Sequence, residues 1–198
     1  MNVQIKSSAG ITLIPIETRL LAERKIFIEG EINHETAIGF IKQMLFLTNE
    51  NDELPIDVFI NSPGGEIKAG LLIYDAISSS PVPVRMFCIG QAFSMAAVLF
   101  AAGTHGRYML PNSELMLHEP LLGNRIAGNA SSIRSVSESL EKTKHRINAL
   151  LAKHTEKTEE EIEKASRYDH FFTPEEAIAF GLCDKTIGFT EMNGGTSI

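Results

Sequence analysis

Short apolar runs that alternate with stretches of helical period constrain this chain's fold more than any other feature. The runs are Lys25–Glu29, Ile56–Ile60 and Val82–Ile89. Between the first two, Ile38, Ile41, Leu45 and Phe46 recur at helical spacing, which predicts a helix over 35–47. After the second run comes the turn Asn61-Ser-Pro-Gly-Gly65 and then a helical stretch over 67–78. Pro81 and Pro83 mark the entry to the third run, and the small apolar residues Met95 to Ala102 follow it as a helix. Strands linked through helices need crossover connections, so the expected architecture is α/β, a mostly parallel sheet covered by helices. Further on, 131–153 is a long amphipathic helix with Ile133, Val136, Leu140, Ile147, Leu150 and Leu151 on one side. Thr173-Pro-Glu-Glu176 carries an N-cap, a proline at the first helical position and a glutamate at the third, with Gly181 as the stop. One domain over 18–190 is expected, bracketed by flexible segments at 1–17 and 191–198.

Composition narrows the function classes. A chain of 198 residues, 43% hydrophobic and 22% charged, is long enough to bury a single core. The net charge of −7 disfavours nucleic acid or an anionic membrane as partner. Cys88 and Cys183 stand alone without CxxC spacing, so neither a disulfide framework nor a zinc site is expected. The apolar run Ile11–Ile16 is short and contains a proline, unlike a signal peptide. Met95 to Ala102 falls well below the roughly 20 residues of a membrane span. The expectation is a soluble cytoplasmic protein that uses no metal or cofactor.

Chemistry concentrates at Gly90-Gln-Ala-Phe-Ser94-Met-Ala-Ala97, where one hydroxyl sits between a strand and a helix of small residues. Ser94 there either caps the helix or serves as a nucleophile beside backbone N–H groups. A nucleophilic serine needs a base. Of the six histidines, His34, His105, His145 and His154 sit in polar contexts that suit the surface. His118 instead ends the buried strand Leu115–His118, where imidazole, ordinarily titrating near 6.5, could act as base or as a hydrogen-bonded structural group. Five aspartates compete as orienting acid. Asp169 lies beside the apolar Phe171-Phe172 pair, Asp184 follows the last helix, and spacing does not choose between them. Ser62-Pro-Gly-Gly65 is either a plain strand-to-helix turn or one half of an oxyanion hole, with the N–H groups of Gly65 and Met95 aimed at one carbonyl oxygen. A dinucleotide loop is not expected, because GxGxxG spacing is absent.

Taken in order, Ile60-Asn-Ser-Pro-Gly-Gly65, Gly90-Gln-Ala-Phe-Ser94-Met95, Leu110-Pro-Asn-Ser113, Met116-Leu-His118-Glu-Pro120 and Pro174-Glu-Glu-Ala…Gly181-Leu resemble the ClpP family, the proteolytic subunits of ATP-dependent Clp proteases. The similarity runs from about Thr18 to Asp184. It implies a crotonase-like α/β fold with a protruding strand–helix handle. It also implies Ser94 as nucleophile, His118 as general base, Asp169 as orienting acid, and Gly65 and Met95 as oxyanion donors. The implied assembly is a homo-oligomer of two stacked seven-membered rings, a tetradecamer. An AAA+ ATPase would feed protein substrates to it, and residues 1–17 would form the axial segment. Several residues depart from the family pattern. Phe93 stands where a small residue is usual, Glu119 where glutamine is common, and Tyr168 where an arginine joins the rings. Leu121–Gly128 lacks the paired glycines, with Leu122 in that stretch. At the ATPase-docking surface Phe59 keeps an aromatic, but Asp57 and Ser79 are polar. Phe93, Met95 and Leu121 suggest an apolar substrate pocket. A catalytically silent subunit of mixed rings and an acyl-CoA enzyme of the same fold are the alternatives.

Overall fold

The computed structural model describes residues 1–7, 10–123 and 127–193. Strands β1 (Asn2–Ser7) and β2 (Gly10–Pro15) pair as an antiparallel hairpin that leads into α1 (Ile16–Ala22). From there strands and helices alternate: β3 (Lys25–Glu29), α2 (His34–Glu50), β4 (Ile56–Ser62), α3 (Ile67–Ser78), β5 (Val84–Phe93) and α4 (Met95–Ala101). The remainder comprises β6 (Arg107–Met109), β7 (Glu114–Leu117), α5 (Ala130–Thr155), α6 (Glu159–Ser166), β8 (His170–Phe172), α7 (Pro174–Phe180) and β9 (Lys185–Thr186). The main sheet runs β3-β4-β5-β6-β9, entirely parallel along that path, with β7 also parallel to β5 and β8 antiparallel to β7. This is the mainly parallel, helix-covered sheet that the alternation predicts. A 3₁₀ turn spans Glu191–Asn193, and the rest of the 191–198 tail lies outside the described residues.

One face of the sheet packs under α2, α3 and α4. Every residue of α4 is buried, and its three alanines and valine in seven positions let it lie close against β5 and α3. The other face carries a ladder of stacked rings, Phe27, Phe59, Phe87 and Tyr108, with centroids 4.9, 4.9 and 5.1 Å apart. Parallel register sets these four residues side by side on successive strands. Arg24, buried in the turn before β3, donates to the carbonyls of Leu47, Asn51, Leu54 and Pro55 and so satisfies the end of α2. No helix among the described residues is long and apolar enough to cross a membrane.

Two local expectations need correction. The apolar stripe of α5 enters the core only towards its C-terminal end, at Ile147 and Leu151, whereas Ile133 is 47% exposed. The first half of the helix therefore stands off the body as a handle. His154, read from its polar neighbours as a surface residue, is half-buried, with Nε2 2.8 Å from the Tyr74 hydroxyl. Burial, assisted by the charges of Lys153 and Arg107, lowers its pKa below the ordinary 6.5. A base depressed on folding contributes stability that is present above its unfolded pKa and is lost as pH falls through the folded value. The urea midpoint is accordingly expected to decline on acidification below about 6.5, and His154→Gln to flatten that decline. A gap between the two midpoint curves that is constant with pH would refute this.

Candidate active site

β5 was expected to end at Ile89, but it continues through Gly90 to Phe93 by changing partners. Met86–Cys88 pair with β6, and Gln91–Phe93 pair with β7. The change coincides with an irregularity opposite Ile60 to Ser62, where a Cβ on Gly90 would fall 2.6 Å from Asn61 Oδ1. The strand delivers Ser94 at φ 56°, ψ −122°, a left-handed conformation that non-glycine residues rarely adopt. Such a residue costs on the order of 1–3 kcal/mol and persists where its surroundings over-determine it. Here the Ser94 N–H donates to Met116 O at 2.8 Å, and four buried residues of α4 follow at once. The hydroxyl makes no capping bond to α4, which removes the simple N-cap reading.

The turn after β4 presses on this elbow. A Cβ on Gly64 would lie 2.6 Å from Phe93 O, 2.9 Å from Ser94 Cβ and 3.2 Å from Met95 N. Ile32 N donates to Gly64 O at 2.8 Å, and Glu66 N donates to Ile32 O at 2.7 Å. Gly64 N donates to Ser62 Oγ at 3.1 Å. In the turn itself these bonds leave the Gly65 N–H over. Among the described residues the N–H groups of Gly65 and Met95 have no hydrogen-bond partner.

Ser94 and His118 line one cleft of about 940 Å³, together with Gly65, Leu121, Val136 and Leu140. A narrower recess beside the same two residues is walled by Ile67, Met95, Val98, Ile147 and Leu151. Of these apolar walls, the sequence pointed only to Met95 and Leu121. Ile67, Val98, Ile147 and Leu151 had been legible only as core positions of their helices. Phe93 does not line the cleft; its ring meets Phe171 edge-on at 5.6 Å. Gly64, tight behind Ser94, was also missed, although paired glycines after a strand are the signal for such an approach.

His118 lies one residue beyond β7, with Nδ1 2.7 Å from the main-chain carbonyl of Glu119. An Nδ1–H donor in that bond leaves the Nε2 lone pair free as a proton acceptor, the tautomer a general base requires. Asp169 precedes β8. Leu117 pairs with His170 in the antiparallel ladder, so continuing the register by one residue sets Asp169 opposite His118. The Asp169 side chain is exposed, outside the cleft lining, and makes no hydrogen bond to His118. Asp184 is engaged elsewhere, in a bidentate pair with Arg107. Tyr168 is 78% exposed, and residues 124–126 of the stretch Leu121–Gly128 lie outside the described residues. Glu119 turns its carboxylate to Lys144 at 3.2 Å, leaving only its carbonyl on the imidazole.

A serine at positive φ between a parallel strand and a buried helix thus shares one cleft with a histidine in this α/β protein. The sequence model of the Clp protease family matches residues 8–189 of the 198. The chain belongs to that peptidase family, as its motifs had indicated.

Proposed function

We propose that this chain is a serine endopeptidase subunit that hydrolyses peptide bonds of unfolded proteins. It acts in the cytoplasm inside a chamber of two stacked heptameric rings, served by an AAA+ unfoldase. The observation that carries the reading is Ser94 at φ 56° in one cleft with His118, beside two unpartnered N–H groups. Ser94 Oγ attacks the scissile carbonyl carbon while its proton passes to His118 Nε2. The carbonyl oxygen, now negative, is held by the N–H groups of Gly65 and Met95. His118 then gives the proton to the leaving amine as the C–N bond breaks. Water repeats the sequence to release the acyl group from Ser94. Asp169 holds the imidazolium once the segment before β8 closes on His118 and its carboxylate takes Nδ1–H from the Glu119 carbonyl. Catalytic hydrogen bonds often tighten only in the substrate complex.

A second reading has its own observation. The His118–Glu119 bond and the exposed Asp169 suit a subunit that is dormant until a different ClpP-type chain completes its ring. Incubation with a fluorophosphonate, followed by intact mass and peptide mapping, separates the two. An adduct on Ser94 with the protein alone supports the competent peptidase. An adduct only after a second subunit or an ATPase is added supports the dormant one. No adduct under any of these conditions rejects serine catalysis.

A further inference from the structure

One cation joins the two segments that carry His118 and Asp169. Lys144, on α5, places Nζ 3.2 Å from the Glu119 carboxylate and 2.7 Å from that of Glu163 on α6. Its side chain is 18% exposed, against 42% and 50% for its partners. Glu119 is the residue whose carbonyl receives His118 Nδ1–H. Glu163 belongs to the helix that ends at Ser166, just before Asp169, and His170 Nδ1 lies 3.2 Å from Ala165 O of the same helix. The β7–β8 ladder meets these two segments at Leu117 and His170. A lone exposed ion pair would do little. Here the Lys144 side chain is largely covered although its bond to Glu163 is exposed, and the one nitrogen reaches two carboxylates on different elements from the long helix α5. The hydrogen bond that Lys144 Nζ donates to the Glu163 carboxylate raises the lysine's pKa.

We infer that Lys144 is a positioning residue. By holding Glu119 and Glu163 together, it fixes the turn that orients His118 relative to the segment leading to Asp169. The clamp depends on the carboxylate at position 119. The consequence for rate rests on the peptidase reading; the clamp itself does not.

The test compares the full-length protein with Lys144→Met, Lys144→Arg and Glu119→Gln by hydrogen exchange and by fluorophosphonate labelling. In Lys144→Met, peptides covering 116–121 and 166–171 should exchange about ten-fold faster while 56–62 stays unchanged, and Lys144→Arg should restore protection. The maximal labelling rate of Ser94 should fall about ten-fold in Lys144→Met without a change in half-saturating reagent, as expected for lost orientation. Unchanged exchange at either segment would overturn the inference. So would loosened segments with an unaltered labelling rate. If Lys144→Met does not fold, Glu119→Gln decides: faster exchange confined to 116–121 supports the clamp, and none there rejects it. If the wild-type protein fails to label on its own, the reading of a subunit competent alone falls while the exchange data still decide the clamp.

Discussion

Ser94→Ala is expected to lower hydrolysis of a fluorogenic peptide by at least about 10⁴-fold while leaving the thermal melt within a few degrees of wild type. The two halves of that expectation have separate origins. Among the described residues the Ser94 hydroxyl has no hydrogen-bond partner, so its removal orphans no buried group there. The positive φ is retained by either residue, because the Met116 carbonyl and α4 hold the backbone regardless of the side chain. Ser94 carries the hydroxyl of the narrow recess that it shares with His118, whereas the wider cleft's other hydroxyls, Ser135, Ser139 and Thr143, stand on α5. His118→Ala should lose a comparable amount, and the double variant little more than either single one, since the two residues act as a unit. Retention of more than a tenth of wild-type activity in Ser94→Ala would reject the serine mechanism.

How much of this was legible in the sequence depended on whether the information was local. The alternation of apolar runs with helical stretches gave the parallel sheet, because each crossover is written in consecutive residues. The caps of α7, Thr173 and Gly181, were likewise local, and both stand where the motif predicts. The half-buried His154 was not legible, since its neighbours in sequence are polar and its partner, Tyr74, comes from a distant helix. The extension of β5 past Ile89 was missed because Gly90 resembles a terminator. It is a glycine because Asn61 crowds it from β4, a contact 29 residues away in sequence. At the site the serine and histidine were readable from strand-end position. The state of Asp169 was not, because it depends on how the segment before β8 closes over β7, which no periodicity encodes. The fate of Glu119 was open for the same reason, and Lys144 on the far helix decides it.

Gly65→Ala should be the most damaging single methyl added to this molecule. A Cβ at that position would lie 2.1 Å from Ile32 O and 2.7 Å from Ile32 N, and the residue stands at φ +153°. The obstacle is main chain, held by the Ile32–Gly64 and Glu66–Ile32 hydrogen bonds, so no flexible side chain can swing aside. Backbone strain and forced displacement together should cost about 3–5 kcal/mol, read as a lowered urea midpoint at fixed protein concentration. Gly39→Ala is the contrast. That glycine lies within α2 with nothing within 4 Å of its Cβ position, so alanine there should stabilise by roughly 0.5–1 kcal/mol. The same turn presents the unpartnered Gly65 N–H, so the Gly65 variant should also label at Ser94 some 10²–10³-fold more slowly wherever it stays folded, the usual cost of one oxyanion donor. A Gly65→Ala protein that is destabilised yet labels at the wild-type rate would keep the turn as structure and remove it from the chemistry. One that is stable but unreactive would place its role in the oxyanion hole alone.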